Sequence, residues 1–112
     1  MNQAAINWAT MFISFYKHSA LKDGFRMPVQ LVNDNSDYDA EGRALELKEN
    51  AREINEVMKR RANLGFAIAT GNYIAIFPAG KGKKLPDDYP EWELTREDLD
   101  KMGIDEDDGT HT

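Results

Sequence analysis

The sequence predicts an α+β fold: two main helices packed on a small antiparallel sheet of about three strands, with a short C-terminal helix and an acidic tail. Three observations predict it. Two long segments step their apolar residues by three and four, and two short apolar runs flank a Gly-Asn link. The 112 residues leave room for one core only.

The first helix is expected over residues 3–22, where Ala5, Trp8, Ala9, Phe12, Ile13, Tyr16 and Ala20 recur at helical spacing. Met11 and Phe15 widen the apolar arc beyond a single stripe. An arc formed by Trp8, Met11, Phe12, Phe15 and Tyr16 exceeds what one small sheet covers, so the sequence predicts a homodimer through these five residues. Lys17, His18 and Lys22 suit the negative pole of the helix dipole, and Gly24 is the expected stop.

Phe25 to Val32 alternates loosely and reads as a strand, with Pro28 favouring the edge of a sheet because it cannot donate to a ladder. A long helix is expected from Asp39 to Asn63. Ala40, Ala44, Leu47, Ala51, Ile54 and Met58 lie on one face, Asp39 is the expected cap and Gly65 the expected stop. Residues 65–79 read as a hairpin about a two-residue Gly71-Asn72 turn. That turn would set Phe66, Ile68 and Thr70 on the same face as Tyr73, Ala75 and Phe77, with Ala67, Ala69, Ile74 and Ile76 opposite. Thr95-Arg-Glu-Asp98 carries the signature of a helix start. One domain over 1–104 and a disordered acidic tail over 105–112 complete the expected organisation.

Composition removes whole classes of chemistry. With no cysteine, a disulfide scaffold, a Cys-ligated metal site and a cysteine nucleophile are excluded. The two histidines are far apart in sequence, and no Ser-His-acid motif is found. No stretch approaches the ~20 apolar residues of a membrane span, and the expected compartment is the cytoplasm. No metal or cofactor is expected.

Charge is divided unevenly. Residues 1–84 carry twelve Lys and Arg against nine acids, a net of +3, whereas residues 85–112 carry two against eleven, a net of −9. Gly80-Lys-Gly-Lys-Lys84 resembles a phosphate loop only in composition, since the Gly-Lys-Ser/Thr spacing is missing. Asp37-Tyr-Asp39-Ala-Glu41-Gly42 begins like a calcium loop, but Lys48 stands where the bidentate glutamate belongs.

Two binding surfaces emerge. Asp87, Asp88, Tyr89, Glu91, Trp92 and Glu93 combine spaced carboxylates, which imitate a phosphate backbone, with two aromatic anchors. This segment points to a small non-enzymatic inhibitor or adaptor that binds a basic, nucleic-acid-handling protein, of the kind that mobile elements deploy. The alternative is a nucleotide- or nucleic-acid-binding module using Lys59, Arg60 and Arg61 together with Lys81, Lys83 and Lys84, provided the helix end and the hairpin exit meet in space.

Overall fold

In the computed structural model the described residues are 2–32, 40–69, 73–81 and 93–102. Helix α1 (Gln3–His18) leads into strand β1 (Phe25–Pro28) and a 3-10 turn over Val29–Val32. Helices α2 (Ala40–Glu49) and α3 (Ala51–Ala62) follow, then strands β2 (Leu64–Ala69) and β3 (Tyr73–Pro78), a 3-10 turn over Ala79–Lys81, and helix α4 (Arg96–Met102). The strands form one antiparallel sheet in the order β1-β3-β2. This is the α+β architecture that the periodicities predict.

Helix α1 stops four residues short of the expected end. Ser19 turns extended, with φ −79° and ψ 150°, and its Oγ accepts a hydrogen bond from the Leu21 N–H at 2.8 Å. A serine that bonds its own downstream backbone offers the chain an alternative to another helical turn. The stop expected of Gly24 is a different turn: its φ is +117°, and a Cβ there would lie 2.7 Å from the Ile76 carbonyl oxygen. Only glycine fits this left-handed entry into β1.

The strand expected over Phe25 to Val32 is half that length. Phe25 and Met27 pair with Ile76 and Ile74 on the core face, and Pro28 stands opposite Tyr73 at the last register position. Beyond Pro28 the chain winds into its 3-10 turn and buries Val29 and Val32. β1 is an outer strand of the three, as Pro28 requires.

The single long helix divides at Asn50, whose φ of −106° and ψ of 6° leave the helical region. Its Nδ2 donates to the Glu46 carbonyl at 2.8 Å, alongside its own backbone N–H at 3.1 Å. The side chain thus competes for the helical acceptor and breaks the rod at one residue. The apolar stripe survives the break, because Ala44, Leu47, Ile54 and Met58 are all buried. Helix α3 ends where the periodicity places it, with Asn63 and not Gly65 supplying the stop. Asn63 adopts the left-handed conformation at φ 56°, ψ 43°, which asparagine tolerates better than other non-glycine residues.

The hairpin exists, with a shifted register. Ala69 pairs with Tyr73, so three residues lie between the strands instead of the two expected. The slip exchanges faces: Phe66 and Ile68 stand opposite Ile76 and Ile74, while Ala67 and Ala69 oppose Ala75 and Tyr73. Phe66, Ile74 and Ile76 all lie in the core. The expected two-residue turn would have sent both isoleucines away from it, which is why burial selects this register. Gly71 and Asn72 lie outside the described residues, as do Asp39 and the tail 105–112.

Helices α1 and α3 run parallel across the sheet. At their starts, Asn2 donates from its backbone N–H to Glu53 Oε2 at 3.3 Å and from Nδ2 to Asn50 Oδ1 at 2.5 Å. Between them and the strands lies the core, where Phe12 meets Trp8 and Phe66 at ring separations of 5.5 and 5.4 Å. Trp8 also donates from Nε1 to Glu46 on α2 at 3.2 Å.

The chain itself therefore covers the wide arc of α1. Trp8, Phe12 and Phe15 are buried, and only Met11 and Tyr16 keep partly open surface. The premise that one sheet leaves this arc uncovered does not hold, because α2 and α3 complete the cover.

Candidate functional site

Both outer strands of the sheet are engaged along their edges. On β2, the Asn55 side chain of α3 accepts from the Phe66 N–H at 2.8 Å and donates to the Phe66 carbonyl at 3.1 Å. An amide thus occupies positions that another strand would otherwise take. On β1, the Leu94 N–H donates to the Arg26 carbonyl at 2.7 Å, and Glu93 bridges Arg26 in parallel.

This second contact bears on the acidic segment. Glu93 Oε1 lies 3.6 Å from Arg26 Nη2, and both side chains are largely buried. Arg26 also stacks on the Tyr73 ring at 4.6 Å. Glu93 is therefore committed to its own chain. Asp87, Asp88, Tyr89, Glu91 and Trp92 lie outside the described residues.

The basic residues form a more complete group. Because α1 and α3 are parallel, their C-terminal ends meet, and an open groove of about 340 Å³ is lined there by Thr10, Ile13, Ser14, Lys17, His18 and Arg61. Lys59 and Arg60 are exposed in the last turn of α3. The hairpin exit reaches the same place: Leu64 pairs with Pro78, and the Ala79 N–H donates to the Asn63 carbonyl at 2.9 Å. The backbone at Lys81 is thereby brought near the end of α3, as the alternative reading needs; Lys83 and Lys84 lie outside the described residues.

A helix C-terminus carries partial negative charge that would ordinarily employ nearby cations. Here other donors meet that need. Lys22 Nζ donates to the Tyr16 and Lys17 carbonyls, each at 3.0 Å. The Asn63 N–H donates to the Lys59 carbonyl, and the Ser14 carbonyl bonds His18 Nδ1 at 2.9 Å. Among the described residues no carboxylate lies within 4.0 Å of Lys17, Lys59, Arg60 or Arg61. Their charges remain available to an external anion.

Acidic α4 sits elsewhere. Its preceding segment runs alongside β1, and Arg96 Nη2 donates to the Leu31 carbonyl at 3.1 Å, past the far end of that strand. Thr95 caps the helix as expected, exchanging hydrogen bonds with Asp98 at 2.9, 3.0 and 3.2 Å. Glu97, Asp98 and Asp100 of α4 therefore lie away from the joined ends of α1 and α3, beside Arg96 and Lys101 of the same helix.

The sequence reading assigned Lys17 and His18 to the dipole of α1 alone and so missed their part in the groove. The available signal was that two helices both end in consecutive basic residues. Among the described residues no group of three or more His, Asp or Glu is placed to hold a metal ion, and no described helix is long and apolar enough to cross a membrane. No protein-family model, curated protein or solved structure matches the chain.

Proposed function

We propose that the chain is a small non-enzymatic interaction protein that binds the phosphate backbone of a nucleic acid through the basic pole at the joined ends of α1 and α3. The observation that carries this reading is the convergence of Lys17, His18 and Arg61 on one groove, with no carboxylate partner among the described residues. Lys59 and Arg60 add exposed positive charge in the same last turn of α3. Each phosphate neutralised by such cations releases condensed counterions, which supplies affinity even though the whole chain has a net charge of −6. The acidic residues beyond position 84 repel the same ligand, so binding is modest in strength and strongly salt-dependent.

The competing reading makes Asp87, Asp88, Tyr89, Glu91, Trp92 and Glu93 the contact to a basic protein. The ion pair between Glu93 and Arg26 favours the basic pole over it. A fluorescence anisotropy titration separates the two. A labelled 20-nucleotide single strand should bind at 50 mM salt with a log-log salt slope of about −3, corresponding to roughly four neutralised phosphates. Binding to polylysine with no binding to the oligonucleotide would reject the proposal in favour of the acidic contact.

A further inference from the structure

The groove differs from the rest of the basic pole in its composition. Lys17 and Arg61 come from two helices, while the Thr10 and Ser14 hydroxyl positions and the buried Ile13 side chain belong to one wall. The Thr10 hydroxyl donates to the Ile6 carbonyl at 2.8 Å, so its proton is already committed within α1. His18 is oriented as well. The Ser14 carbonyl can only accept, so at 2.9 Å Nδ1 carries the proton, and Nε2 is the nitrogen left for other partners.

An extended backbone presents single negative charges spaced along its length, and separated surface cations suffice for it. Cations converging on one short groove match concentrated charge better. The Arg61 guanidinium adds a planar fork that bonds two oxygens of one phosphate at once, which a lysine cannot do.

Resting on the reading above, we propose that this groove is a site for a terminal phosphate, the dianionic phosphomonoester of a strand end or a free nucleotide. Arg61 and Lys17 supply its charge, and Ile13 provides an apolar wall for the attached sugar. Lys59 and Arg60, exposed in the same turn of α3 as Arg61, then meet the adjoining backbone.

The test compares one oligonucleotide with a 5′-phosphate and with a 5′-hydroxyl. The phosphorylated strand should bind about tenfold more tightly, the equivalent of one additional charge-assisted contact. Arg61→Gln should reduce that preference below about threefold while the hydroxyl strand loses less, and Arg61→Lys should restore only part of it. Thermal melts of both variants establish that they fold. A nucleoside 5′-monophosphate that competes as well as the phosphorylated strand assigns the free nucleotide as the source, and much weaker competition assigns the strand end. Equal binding of the two strands would overturn the terminal-phosphate site and leave the backbone reading standing. Binding of neither strand would overturn both.

Discussion

Asn55→Ala removes two hydrogen bonds that tie α3 to the outer edge of β2. Phe66 is 3% exposed, so its N–H and C=O, now bonded at 2.8 and 3.1 Å, lose partners where water reaches poorly. An unmet buried backbone group costs about 1–3 kcal/mol. Partial access along the strand edge reduces the sum, and about 2–3 kcal/mol is the expected loss for the pair. Unfolding entropy scales at about 2.1 cal/mol/K per residue, so for this chain the midpoint should fall by roughly 10 °C. Differential scanning calorimetry measures it directly. Asn55→Asp supplies an internal check, since it keeps the acceptor, loses the donor and sets a carboxylate against the Phe66 carbonyl. Its stability should rise as pH falls and the carboxyl regains a proton to donate. An Asn55→Ala midpoint within about 2 °C of the parent would refute the argument that this amide closes the strand edge.

Other substitutions examine the core and its entry turn. Ile54→Ala, at a fully buried position of α3, should cost about 2–5 kcal/mol in urea unfolding. Glu49→Ala, exposed at the end of α2, should cost less than about 0.5 kcal/mol; equal effects would mean that the buried stripe is misplaced. Gly24→Ala sets a Cβ 2.7 Å from the Ile76 carbonyl oxygen at a φ of +117°. It should lower stability by more than about 2 kcal/mol through strain and the forced shift of β3, and an unchanged melt would show that the turn readily rearranges.

Much of this fold is written locally. The spacing from Ala5 to Tyr16 and from Ala44 to Met58 requires a helical face, and the two runs about Gly71 require a hairpin. The errors arise where one residue decides between near-equal alternatives. Ser19 and Asn50 each use a side chain to compete for backbone partners, and periodicity is blind to that competition. The register of β2 against β3 depends on which face meets α1 and α3, a tertiary fact, so counting turn residues set it wrong by one. For the candidate site, the sequence shows the run Lys59, Arg60, Arg61 and the lysines after Ala79, and backbone contact between Asn63 and Ala79 joins these two regions. That Lys17 and His18 belong beside them follows from the parallel packing of α1 and α3, which Asn2, Asn50 and Glu53 anchor at the opposite end. Nothing short of the assembled helices reveals it.

The central claim is that position, and not merely total charge, makes the joined helix ends a polyanion-binding pole. Two double variants with the same change in net charge test it most directly. Lys17→Glu/Arg61→Glu alters the groove, while Lys48→Glu/Lys101→Glu alters exposed positions on α2 and α4. Anisotropy titration with the 20-nucleotide strand at fixed salt, alongside thermal melts, should show at least about a tenfold loss of affinity and a salt slope shallower by about 1–2 for the groove pair. The control pair should lose no more than about threefold through the general field of the molecule. Equal losses from the two pairs would contradict the account.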